Sequence, residues 1–136
     1  MRLTCALVLS VGLTAGLTQA ATARPPLRDV PQIDNQMLWV ALAIEISDRC
    51  DSIAPRTLRG LNYLWSIRSQ ANDLGYSDDE IRTYVKSDAE KARIRARGEA
   101  YVRSQGLDPA DAADLCQLGR QEIQKRSQIG AFLRAK

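Results

Sequence analysis

The run SDDEIRTYVKSDAEKARIRARGEAYVRSQ (77–105) decides how the chain folds. Ser77 followed three residues later by Glu80 is a capping box, and Asp78 and Asp79 stand where the helix dipole favours anions. Gly106 supplies a left-handed stop, so the pattern predicts one long helix over 77–105. At about 100° per residue, Ile81, Val85, Ala89, Ala92 and Ala96 share one face, small enough for a neighbouring helix to approach closely. Arg82, Lys86, Arg93 and Arg97 fall on the adjoining outward arc, with Glu90 among them. No aromatic side chain interleaves these cations, as single-strand nucleic-acid binders require. Those nearest the C-terminal end are favoured there by the dipole alone. The arc reads as a solvated face, with a weak anion or partner surface as the alternative.

Working outward, three further helices are expected. RPPLRDVPQID (24–34) is extended because residues before proline avoid the helical region. Helix one should start near Asp34 or Asn35, either a good cap, and run to about Arg49. Its centre, MLWVALAIEI (37–46), is apolar on nearly every side and suits the middle of a small bundle. Helix two should run from Pro55 to Leu74 and stop at Gly75. Helix four should begin at Asp108-Pro109 and end near the C-terminus, with a break near 112–115 as its weak point. No strand alternation, repeat or low-complexity tract is visible, so the expected fold is all-α, an irregular bundle of about four helices.

The first residues read differently. Arg2, the run ALVLSVGLTAGL (6–17) and the small residues around Ala20 to Ala23 have the layout of a secretory signal peptide. A spanning helix would need about 20 apolar residues. The expected division is a leader over 1–20, cleaved between 20 and 23, and one domain over 24–136. Without Arg2 the chain carries 18 basic and 16 acidic side chains, a near balance that favours neither nucleic acid nor a strongly anionic surface. Membrane insertion after cleavage is not expected either. Cys50 and Cys116 remain in the domain, and an even pair in an exported chain reads as one disulfide. Metal ligation would need further ligands, and the chain has no histidine.

The helical wheels also point charges inward. Asp88, Arg95 and Glu99 sit at the edge of the alanine stripe, Glu122 and Arg126 within the apolar arc of helix four, Arg68 within that of helix two and Glu45 within helix one. Interhelical ion pairs that fix helix register are the leading reading of these seven. A carboxylate-bridged metal site from Glu45, Asp88, Glu99 and Glu122 lacks the Glu-x-x-His pairs of four-helix dimetal proteins. Acid–base catalysis, with Asp88, Arg95 and Glu99 as the group to test, needs a pocket that a bundle of this size has little room for. Gly119 and Gly130 mark close packing, and Trp39, Trp65, Tyr63 and Phe132 read as core or core edge. No phosphate loop, nucleophile–base pair or zinc spacing is present.

Four stretches, LRDVPQIDN (27–35), LGYSDDEIRTYVKSDAEKARIRARGEAY (74–101), LCQLGRQEI (115–123) and SQIGAFLR (127–134), resemble a family of small exported proteins of Rhodobacter-like alphaproteobacteria, defined as a domain of unknown function. The resemblance implies an envelope location and supports the Cys50–Cys116 pair; it implies no activity, cofactor or catalytic residue. The expectation is a non-catalytic periplasmic protein that binds or stabilises an envelope protein, without cofactor. An acid-stress chaperone, using protonation of the inward carboxylates, is the alternative.

Overall fold

The central helix α1, Pro31–Arg49, touches nearly every other element, and the rest of the chain is wound around it. The computed structural model describes residues 23–136; the expected leader lies outside them. A single 3-10 turn, Leu27–Asp29, leads in. Pro31 occupies the first turn of α1, where its missing N–H costs nothing, so the helix starts earlier than a cap at Asp34 or Asn35 would allow. Ile33, Leu42, Ala43 and Ile46 of α1 are buried in the core.

After α1 comes a strand, β1 (Ile53–Pro55), then α2 (Thr57–Asp73). Pro55 therefore does not open helix two. It ends a two-stranded antiparallel ribbon with β2 (Leu133–Ala135), in the register Ile53↔Ala135 and Pro55↔Leu133. Three residues are too few for alternation to be seen in sequence. Proline, which has no N–H to donate, is tolerated here because both strands of a two-stranded ribbon are edge strands. Gly75, at φ +91°, ends α2 in the expected left-handed conformation.

The long helix expected over 77–105 is two helices. α3 spans Asp78–Lys86 and α4 spans Asp88–Ser104, joined by Ser87 alone. Both halves of the Ser77–Glu80 capping box are formed. Ser87 has an extended ψ of 122° and its hydroxyl accepts from the Glu90 N–H, capping α4. The run Ser87-Asp88-Ala89-Glu90 is itself a helix-start pattern, nested inside a helical one. The break resets the phase of the wheel. α4 buries Glu90, Ile94, Gly98 and Val102, while Ala89, Ala92 and Ala96 face solvent.

Helix four also divides. Asp108 and Pro109 form a turn, in which the Asp108 carboxylate accepts from the Ala110 N–H at 2.9 Å. α5 (Ala112–Lys125) starts from Asp111, its own cap. It ends at Arg126, which takes a left-handed φ of 53°, and Ser127 caps the short α6 (Gln128–Ala131). The fold is thus all-α in class, with six helices among the described residues rather than four.

Two close approaches hold the bundle. A Cβ on Gly119 would lie 2.4 Å from Ile53 Cδ1 and 2.7 Å from Ile46 Cγ2, so only glycine lets α5 lie this close to α1 and β1. A Cβ on Gly130 would lie 2.1 Å from the Glu122 carbonyl oxygen, where α6 folds back on α5. Cys50, at the end of α1, is bonded to Cys116 in α5, with Cα atoms 5.2 Å apart. That pair fits the ordinary disulfide range and pins the first helix to the fifth.

Candidate binding groove and its polar flank

Asp34 is the polar anchor of the molecule. It is 3% exposed and accepts hydrogen bonds from the Tyr84 hydroxyl (2.6 Å), from Arg93 Nη1 (3.0 Å) and Nη2, and from Arg97 Nη1. Arg97 Nη2 donates to Asn35 Oδ1 at 2.8 Å, and Arg93 Nε to Glu90 Oε2 at 2.8 Å. Glu90, also buried, receives Arg28. Burial alone would raise the Asp34 carboxyl, but the Arg93 and Tyr84 hydrogen bonds and the two arginine charges outweigh it and hold it below the usual carboxylate range. Burial, then the bond to Asp34, pushes the Tyr84 hydroxyl well up.

This cluster corrects the reading of the basic arc. Arg93 and Arg97 are folded onto Asp34, and Glu90 is in the core, so they are not a free cationic face. Arg82 pairs with Asp79 at 2.7 Å, and Lys86 is exposed on α3. Of the seven residues expected to point inward, only Glu122 is buried. It accepts from the Tyr101 hydroxyl at 2.7 Å, and Lys125 stands 3.7 Å away. Burial and this bond push the Tyr101 hydroxyl up to about 12.

The other six lie at the surface. Glu45 pairs with Arg49 (3.2 Å) and Glu99 with Arg103 (3.1 Å). Arg68 bridges to Asp78 (2.6 Å) and lies 5.2 Å from the Trp65 ring centre. The Asp88 side chain is fully exposed, and Arg95 and Arg126 are exposed. For Asp88, Arg95 and Glu99 the physical reason is the break at Ser87, which rotates the residues after it off the assumed wheel. Arg126 leaves the arc because it is itself the left-handed stop of α5. Glu45 and Arg68 sit beside exposed Ile44 and Trp65, on sides of α1 and α2 that no other described helix covers. Among the described residues no three His, Cys, Asp or Glu stand together as metal ligands. Glu45, Arg95 and Glu99 do share one feature: they line the same groove.

That groove, of about 800 Å³, runs between α1 and α4. Its α1 wall is Met37, Val40, Ala41 and Ile44, at helical spacing along one side. Its α4 wall is Ile94, Gly98 and Val102 below and Lys91, Arg95, Glu99 and Arg103 at the lip. A Cβ on Gly98 would lie 3.3 Å from Leu42, so the glycine lets α4 approach α1 closely there. The turn at Asp108 to Ala110 closes one end, held by Arg49 Nη2 donating to the Ala110 carbonyl at 2.8 Å.

At the other end, through Met37, Leu64, Tyr84 and Val85, the groove meets a second, almost wholly apolar cavity of about 340 Å³ beneath Leu61 and Trp65. Large apolar side chains along this path are open to solvent: Ile44 is 52% exposed, Leu61 48%, Trp65 62% and Val85 44%. Trp65 is therefore at the rim and not in the core. Single exposed leucines are ordinary, but a contiguous apolar path with polar lips is a surface able to receive an apolar ligand or partner. Its sequence signal is weak, because a stretch apolar on nearly every side, as 37–46 is, suits a buried core helix equally well.

The fold and groove define a small disulfide-closed helical domain with an open apolar channel on one side. The chain belongs to a family of unknown function (DUF5333), whose model matches residues 25–134 and so takes in every helix described above. No curated protein and no solved structure matched the chain. The disulfide suggests a compartment outside the cytoplasm, and no helix among the described residues is long and apolar enough to cross a membrane.

Proposed function

We propose that the domain is an exported, non-catalytic binding protein of the periplasm, and that its groove takes an apolar segment of an envelope protein. The observation that carries this is the continuity of the two cavities under Ile44, Val85, Leu61 and Trp65. A chain this short has little apolar surface to spare, and leaving four large side chains open along one channel costs it stability. The group Asp88, Arg95 and Glu99 does not converge, since Asp88 points to solvent two turns from Arg95. The test is site-specific photocrosslinking in native cells from positions 44 and 85, with position 120 on α5 as control. One envelope protein captured from the groove positions and not from the control supports the reading. Equal capture from all three rejects it.

A second reading, acid-activated chaperoning, is favoured by one observation: Asp34 gathers two arginines and a tyrosine in the core. Its protonation, and not that of exposed Glu45, Asp88 or Glu99, would loosen α1 from α3 and α4. Failure to suppress client aggregation at about pH 2–3, where such carboxylates are protonated, removes it.

A further inference from the structure

Resting on the groove reading above, we infer the chemistry of the occupant: an amphipathic helix that carries carboxylates along one edge. Two observations argue this, one about its backbone and one about its charge.

None of the residues lining the groove belongs to β1 or β2, so the channel offers no free strand edge to an incoming chain. Its floor presents apolar side chains, among them Val40, Ile94 and Val102. An extended segment laid there would bury backbone N–H and C=O groups without partners, at a cost of roughly 1–3 kcal/mol for each group. A helix satisfies its backbone internally and presents only side chains, which is what this surface can receive. The α1 wall from Met37 to Ile44 is itself two turns of helix, roughly 10 Å, matching anchors at i, i+3 or i+4, and i+7 on a partner.

The charges at the mouth are unequal in what holds them. Each glutamate there is already engaged: Glu45 by Arg49, Glu99 by Arg103, Glu90 by Arg28 and Arg93. Among the described residues Arg95 makes no ion pair. Lys91 has only Asp88, at 3.6 Å and fully exposed. Lys91 and Arg95 are four residues apart on α4, so they present adjacent cations above Ile94. Asp108, in the turn that closes one end, has no ion pair among the described residues and accepts the Ala110 N–H at 2.9 Å. Along the α4 lip the uncommitted charge is positive, and the complementary edge on the occupant is acidic.

The test uses purified disulfide-bonded protein and two fluorescent helical peptides of about 18 residues. They share one leucine and alanine stripe and differ only in carrying glutamates or lysines beside it. The glutamate peptide is expected to bind about tenfold more tightly at low salt, with the margin shrinking in 0.5 M salt as screening predicts. K91E/R95E, both at exposed positions, should reverse the preference, and I44D should weaken both peptides. Equal binding of the two peptides overturns the charge inference and leaves the groove reading standing. If neither peptide binds, or if I44D changes nothing, the groove reading itself falls. Palmitate binding with no peptide binding makes the occupant a single-chain amphiphile and overturns the inference. Self-association that I44D abolishes assigns the groove to a second copy and overturns it as well.

Discussion

The Arg93 guanidinium lies against both carboxylate oxygens of Asp34, joining the start of α4 to the first turns of α1 across 59 residues of chain. One carboxylate thereby orients three elements, since Tyr84 of α3 and Arg97 of α4 meet it too. Asp34→Asn keeps the shape but leaves Arg97 without an anion and Arg93 with Glu90 alone. Breaking a fully buried pair costs about 3–5 kcal/mol. The Arg93 and Arg97 side chains remain roughly a third exposed, so the expected loss is smaller, about 2–3 kcal/mol, read from urea unfolding.

The same carboxylate sets the acid limb of stability. Its folded pKa is lowered, so its contribution is complete above the unfolded value of about 3.9 and is lost as pH falls through the lower folded value. Wild-type protein should lose stability steeply below about pH 4. Asp34→Asn should show a shallower decline over that window, when urea midpoints are compared from pH 6 to pH 2. Parallel curves would count against Asp34 as the acid-labile point.

At alkaline pH the tyrosines act in the opposite sense. The Tyr101 hydroxyl is raised to about 12, so its contribution is complete below the unfolded value of about 10 and is lost as pH rises through 12. Tyr101→Phe should flatten that limb. At neutral pH it should cost about 1–3 kcal/mol, because buried Glu122 loses its hydroxyl donor. Denaturant titrations at pH 7 and pH 11 separate the two effects.

Removing the disulfide should cost about 4 kcal/mol in the chain-entropy account, given a separation of 66 residues. Cys50→Ala/Cys116→Ala should therefore melt well below the oxidised protein by calorimetry. An unchanged midpoint would mean that the reduced chain already keeps the two ends together.

Gly119→Ala and Gly130→Ala should differ. The Gly119 methyl meets side-chain atoms of Ile53 and Ile46, which can give at a cost of about 1–3 kcal/mol. The Gly130 methyl meets the backbone carbonyl of Glu122, which is held in α5 and receives the Ser127 N–H. Gly130→Ala should be the more destabilising of the two by thermal unfolding.

Features written in local chemistry were legible in the sequence: the Ser77–Glu80 box, the glycine stops at 75 and 106, and the two cysteines. The lead-in was not, since Pro31 opens α1 where an extended segment was expected. Ser87 was not, because Ser-Asp-Ala-Glu continues a helical pattern as readily as it starts one. Everything that depended on phase beyond it then turned over, which is why the alanine stripe proved wet and Arg93 and Arg97 proved engaged. Asp34 was missed for a different reason. An aspartate near a helix start is a good cap, and nothing local says that two arginines some sixty residues later will claim it instead. The groove was illegible because it belongs to no single element.

The bond between Cys50 and Cys116 makes a covalent ring of the intervening chain; α1 lies on one tail, and the end of α5, α6 and β2 on the other. α2, α3 and α4, which with α1 form the groove, lie within that ring. A protease that cuts the exposed turn at Asp108 opens the ring but releases no fragment, because the new ends remain tethered through sulfur. A nicked molecule thus keeps its parts in stoichiometric company and able to refold as one.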